Sequence, residues 1–177
     1  MDIEKFVESS LGQWRSQRSA HHLAFGHFEQ VTSTINIEPL PKENPDVIAL
    51  CKTYDIDPEV TATPFRMSWE GESDWDDDET FSGTTILIPI PDTTDSQKGK
   101  LLRDQGYAET ISSAGEYYFD QDGAFVLKTT YDRAAAEERI WFANPNFRMR
   151  VSLIKTSAGS GVVTASFSSE IREEATA

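Results

Sequence analysis

From Trp14 onward, most of this chain reads as short extended stretches joined by turn sequences, with side chains alternating at every second position in Trp14–Ser19, Phe147–Leu153 and Val162–Ile171. This constrains the fold more than any other feature, because successive side chains of a strand point to opposite faces. The stretches are Trp14–Ser19, Phe28–Ile37, Thr61–Glu70, Thr80–Ile90, Tyr107–Ser112, Glu116–Phe119, Ala124–Tyr131, Glu138–Phe142, Phe147–Lys155 and Val162–Ile171. Gln121-Asp-Gly123, Ala143-Asn-Pro-Asn146 and Ala158-Gly-Ser-Gly161 are turn sequences between neighbouring stretches. Such a series predicts an antiparallel meander of about nine or ten strands.

Two segments depart from period two. Asp2 to Leu11 reads as a short helix, with Asp2 as cap and Ile3, Phe6 and Val7 on one stripe. Pro45 to Tyr54 reads as a second, with Asn44 as cap, Pro45 in the first turn and Val47, Leu50, Cys51 and Tyr54 on one face. The acidic run Glu70–Glu79 is expected to be a loop, and the polar segment Asp92–Gln105 to hold a turn of helix. The tail from Arg172 to Ala177 is expected to be disordered.

The 177 residues are expected to form a single domain (1–177) large enough for a hydrophobic core. The expected fold class is mainly β: an antiparallel lipocalin-like (calycin) barrel with an N-terminal helix and a second short helix. Closure removes sticky edges and leaves room for one small ligand. A sandwich is the alternative, since counting strands does not establish closure.

A net charge of −14 argues against nucleic acid and anionic membranes as partners. No apolar run approaches the roughly 20 residues that span a bilayer. The start has no basic region followed by an apolar one, and the single cysteine, Cys51, fits a reducing cytosol. A cytoplasmic location is expected. Cys51, on a helix stripe, reads as a core residue.

Against this acidic background, Phe147-Arg-Met-Arg-Val-Ser-Leu153 places Arg148, Arg150 and Ser152 on one strand face. Two adjacent guanidiniums suit a carboxylate or phosphate. In Val162–Ile171, Thr164, Ser166, Ser168 and Glu170 share one face and Val163, Ala165, Phe167 and Ile171 the other. If the apolar faces align, the arginines lie beside small hydroxyls and Glu170. The default for such a pair is apolar face to the core and polar face to water; the alternative is a polar pocket. Trp69 and Trp75 bracket the acidic run and offer flat faces to a conjugated ligand, or pack as core and loop residues. On the first strand, Arg18 and His22 share a face that His21 opposes, and one of the two histidines could donate a proton near neutral pH. No metal site is expected, because the histidine pair has no third ligand near it.

Several stretches together resemble one family. They are Gly12-Gln-Trp-Arg-Ser-Gln-Arg-Ser-Ala-His-His22, Leu23-Ala-Phe-Gly-His27, Trp69-Glu-Gly71 with Trp75, Gly99-Lys-Leu-Leu-Arg103, Glu138-Arg-Ile-Trp-Phe-Ala-Asn-Pro-Asn146, Arg148-Met-Arg150 and Ala165-Ser-Phe-Ser-Ser-Glu-Ile171. In order and over nearly the whole chain, they resemble the S/U-type (CpcS/CpeS-like) phycobiliprotein chromophore lyases of cyanobacteria and some algae. The resemblance implies a lyase of the carbon–sulfur class that attaches a linear tetrapyrrole, phycocyanobilin or similar, to a cysteine of an apo-phycobiliprotein subunit. The bilin is then a substrate, with no permanently bound cofactor. Arg148 and Arg150, with Arg18, would hold its propionates. Glu170 or Glu138 would accept its pyrrole N–H groups, Trp69 and Trp75 would face its rings, and Ser152 would add a hydrogen bond. His21, His22 and Glu170 are the candidates for catalysis. The family also raises a homodimer or a heteromer with a related lyase subunit. A non-catalytic bilin carrier on the same barrel, or a scaffold with a solvated polar hairpin, are the competing readings.

Overall fold

The protein is described here from a computed structural model covering residues 1–74, 76–104, 113–156 and 161–173. The elements are α1 (Ile3–Ser10), β1 (Gly12–His22), β2 (His27–Pro39), α2 (Pro45–Thr53), β3 (Phe65–Ser73), β4 (Asp76–Pro91), β5 (Lys98–Arg103), β6 (Ser113–Phe119), β7 (Phe125–Thr130), β8 (Ala134–Asn144), β9 (Phe147–Thr156) and β10 (Val162–Arg172). These ten strands pair in sequence order, and β10 closes on β1. Closure rules out the sandwich.

The helix signals in the sequence hold. The Asp2 carboxylate accepts the Lys5 backbone N–H at 2.9 Å, and Asn44 Oδ1 accepts that of Asp46 at 2.9 Å. Helix α1 buries Ile3, Phe6 and Val7 among inward residues such as Trp14, Ile37, Phe65 and Ile140, closing one end of the barrel. Phe6 stacks on Phe125 with 4.4 Å between ring centroids. Helix α2 lies outside the wall, where Val47, Leu50 and Cys51 cover Ile86, Ile88 and Leu102. Strand β4 is thus apolar on both faces there, which explains its nearly unbroken apolar run from Ile86 to Ile90.

Several expectations are corrected. Most of the acidic Glu70–Glu79 segment is strand, with Glu72 opposite Thr80 and Ser73 opposite Asp76. Charge does not exclude a strand, because the backbone on either side of the register shift after Glu72 is paired across the ladder. Asp92–Gln105 holds β5 instead of a helical turn, with Leu101, Leu102 and Arg103 buried between β4 and β6. Thr61–Pro64 is not part of a strand: it follows the 3-10 turn Pro58–Val60, and Thr63 takes a φ of +41°, so β3 begins at Phe65.

Arg172 belongs to the barrel rather than to a disordered tail. Its guanidinium donates to the carbonyls of Leu11 and of Ser9 (2.7 Å to the latter) at the C-terminus of α1. It also lies 4.2 Å from the centre of the Trp14 ring. The Glu173 N–H bonds Gln13 O at 2.9 Å. The expected strand Tyr107–Ser112, most of the turn at Ala158–Gly161 and the tail beyond Glu173 lie outside the described residues.

Candidate functional site

The register of β9 on β10 sets Glu170 opposite Arg148, Ser168 opposite Arg150 and Ser166 opposite Ser152. This polar face points into the barrel, contrary to the default for a half-solvated hairpin. Arg148, Ser152, Ser168 and Glu170 are all buried, while Phe167 and Ile171 are exposed on the outside. The inversion is tolerable because the inward charges satisfy one another, whereas an unpaired buried charge would be very costly.

Arg148 Nε donates to Glu170 Oε2, and Arg150 Nε lies 3.3 Å from Glu170 Oε1. Glu138 accepts from Arg150 Nη1 and from Ser152 Oγ, each at 3.4 Å, and sits 3.9 Å from Arg103 Nη1. Three guanidiniums thus surround two carboxylates at the inner end of the cavity. Burial opposes the ionised form of Glu170, but the charges of Arg150 and Arg148 and the hydrogen bond from Arg148 outweigh it, holding the carboxyl below its ordinary range. Burial lowers the pKa of Arg148 to about 10, which leaves it protonated at neutral pH.

A cavity of about 440 Å³ opens above this network. Its polar wall carries Arg18, Arg150, Ser152, Thr164, Ser166, Ser168 and Glu170, and its apolar wall Val31, Ile35, Met67, Trp69 and Phe81. The volume and the mixture of apolar surface with a few convergent polar groups are those of a small-molecule site. Arg148 and Glu138 lie one layer deeper. They line a void of about 50 Å³ against α1, with Arg103 and Arg150 bordering both spaces. Arg148 therefore supports Glu170 from below and does not face the main cavity.

With α1 closing the end where β1 starts, the cavity opens where β1 turns into β2. His22 lines this end and its Nε2 lies 2.9 Å from Glu29 Oε2. Glu29 also accepts from Ser73 Oγ at 2.6 Å and lies 4.0 Å from Arg18. Burial would raise the Glu29 pKa, but the hydrogen bonds with Ser73 and His22 and the Arg18 charge pull it lower. His21 faces outward, its ring edge-on to Phe28 at 5.0 Å, so it does not share the cavity with His22. Trp69 lines the cavity; Trp75 lies outside the described residues.

Three residues went unnoticed in the sequence. Arg103 was hidden by the helical reading of its segment; as a strand, Leu101 and Arg103 share the inward face. Glu29 lay in a stretch read only as extended. Gly83 pairs with Trp69, and a Cβ there would run into the indole ring. No local pattern marks Glu29 or Gly83, since each acts on a neighbouring strand.

Comparison with known proteins agrees with this architecture. The family model described as CpeS-like protein matches residues 2–173. The chain is 61% identical over 172 residues to a protein named chromophore lyase CpcS/CpeS 3 from Trichodesmium erythraeum, covering 97% of this chain and 99% of the relative. It is 40% identical over 164 residues to the phycocyanobilin lyase subunit CpcS of a Picosynechococcus, covering 92% and 83%. Among solved structures, the S-type phycobiliprotein lyase CPES from Guillardia theta superposes with a TM-score of 0.88 at 48% identity, covering 99% of this chain and 95% of that one. The chain belongs to the CpeS-like family of chromophore lyases.

Proposed function

We propose that this chain binds a linear tetrapyrrole in the barrel cavity and catalyses its thioether attachment to a cysteine of an apo-phycobiliprotein subunit. The observation that carries the reading is the cavity itself. Its polar wall of Arg18, Arg150, Ser152 and Glu170 adjoins an apolar wall bearing Trp69. The bilin's propionates suit Arg150 and Arg18, its pyrrole N–H groups suit the ionised Glu170, and its conjugated rings suit Trp69. Arg148 and Glu138 act from below, holding Glu170, Arg150 and Ser152 in position.

In the reaction the acceptor thiol adds across the ring A ethylidene double bond. A carbon–sulfur bond forms, the thiol loses its proton, and the bilin gains one, so no redox partner is needed. His22, at the open end and bonded to Glu29, is placed to supply that proton. His21 faces away. Cys51 is fully buried on the face of α2 that packs against the barrel wall, outside the cavity, so the nucleophile belongs to the partner. Holding the bilin out of bulk water restricts the geometry of addition and suppresses competing adducts. The lone buried thiol fits a cytosolic setting.

Titration with phycocyanobilin tests the binding half of this reading. The parent is expected to bind, and Arg150→Ala and Arg18→Ala to bind more weakly. A folded parent that leaves the pigment's spectrum unchanged would overturn the reading. Transfer with no second lyase chain present separates an enzyme that acts alone from half of a heteromer.

A further inference from the structure

We infer that the tip of the β1–β2 hairpin, Leu23-Ala-Phe-Gly26, is the surface on which the apo-phycobiliprotein acceptor docks. The inference rests on the function proposed above and adds where the second protein sits. A transfer enzyme whose cavity holds no thiol must receive its nucleophile through the open end. That end is where His22 and Thr164 line the cavity, and the hairpin tip follows directly from His22.

The tip is apolar and tied down by backbone hydrogen bonds. Leu23 is 55% exposed, Phe25 81% and Phe28 44%, so three large apolar side chains within six residues meet solvent beside the mouth. The backbone does not let them fold away: the Leu23 N–H donates to Val163 O at 2.9 Å and the Phe25 N–H to His22 O at 3.1 Å. Gly26, with φ +60°, turns the chain back into β2. Single exposed apolar residues need no explanation, but a cluster at the rim of a ligand cavity does.

Charge points the same way. From Ala20 to Phe28 there is no carboxylate, in a chain carrying 30 Asp and Glu, and all three histidines fall in this segment. The tip itself thus presents a surface free of carboxylates, beside the β3–β4 hairpin whose Asp74 accepts the Gln30 backbone N–H at 2.6 Å. An apo-acceptor fits this chemistry, because a protein waiting for a conjugated tetrapyrrole presents an empty, mainly apolar cleft next to its reactive cysteine. Phe25 and Leu23 are the groups that would enter such a cleft, bringing the thiol to the cavity mouth.

The test is the double variant Leu23→Ser/Phe25→Ser, whose exposed positions leave the core untouched. Phe167→Ser/Ile171→Ser, exposed on the barrel flank, is the control. Phycocyanobilin affinity is measured without acceptor, and initial transfer rates are measured over a range of apo-phycocyanin β subunit. The hairpin variant is expected to keep its bilin Kd within about twofold while kcat/KM for the acceptor falls at least about tenfold, mainly through KM. The flank variant is expected to behave as the parent.

An unchanged kcat/KM in the hairpin variant overturns the inference. A bilin Kd that rises in step overturns it too, since the tip would then belong to the pigment site. So does conversion of a dimer to a monomer in sedimentation, which would make a second copy the occupant. Calorimetric binding of apo-acceptor to the pigment-free chain separates this inference from the function it rests on. Hairpin-dependent binding without transfer leaves the docking surface standing and removes the catalytic reading. Transfer that ignores the hairpin does the reverse.

Discussion

Arg148 donates from Nε to the Glu170 carboxylate, and each residue is 1% exposed. Neither charge has water as a fallback, so the pair is held by each other and by Arg150. Removing one partner leaves the other buried and uncompensated. Glu170→Leu or Arg148→Met alone is expected to cost about 3–5 kcal/mol of stability, while the double variant Arg148→Met/Glu170→Leu costs less than either. Urea unfolding of the three variants checks this. Additive losses would mean the two residues do not act as a pair.

The same pair sets a pH dependence. The folded-state pKa of Glu170 lies below its ordinary 4.5: burial pushes it up, but Arg150 and Arg148 pull it down further. As pH falls the unfolded chain takes up the proton first. The stabilisation is therefore fully present above about pH 4.5 and is lost as pH drops through the folded value. Glu29 shifts in the same direction. Urea midpoints of the parent are expected to fall between pH 5 and 3, and those of Glu170→Gln to fall less steeply. Parallel curves would contradict the assignment.

Gly83 is expected to be a determinant of cavity shape. Its missing Cβ makes room for the Trp69 indole across the β3–β4 pair. Gly83→Val should displace the ring, keep the barrel folded and weaken phycocyanobilin binding by roughly tenfold or more, a loss of about 1.4 kcal/mol. Circular dichroism and a pigment titration measure the two effects. Unchanged affinity in the folded variant would remove Trp69 from the pigment site.

The histidines separate cleanly. His22→Ala is expected to slow transfer by about 10²-fold with pigment still bound, the size of a lost general acid. His21→Ala, on the outer face, should leave transfer within about twofold. Equal effects would return the proton donor to an open question. Cys51→Ser, changing a thiol packed against Ile86 and Leu102 outside the cavity, should leave transfer intact if the protein folds.

The meander, both helices and the alternation on β9 and β10 were legible because each is a local pattern. The direction of that alternation was not. Period two says which residues share a face but not which face is inside, and Arg148 and Glu170 justify an inward polar face only through their pairing across strands. For the same reason Glu29, which bridges His22 and Ser73 from β2, and Gly83, which accommodates Trp69, left no trace in their own segments. The acidic run misled because its charge suggested a loop, while its backbone pairs across β3 and β4 as far as Ser73 and Asp76, with a register shift after Glu72.

The most direct test of the account is covalent transfer. The parent is mixed with phycocyanobilin and an apo-phycocyanin or apo-allophycocyanin β subunit, the mixture is denatured, and absorbance and fluorescence are followed on the separated acceptor. The account predicts a thioether adduct of the correct colour, formed faster than in the control without this protein. An acceptor that stays colourless after denaturation, while the pigment remains bound to the barrel, would contradict a lyase that acts alone and leave a carrier or one half of a heteromer.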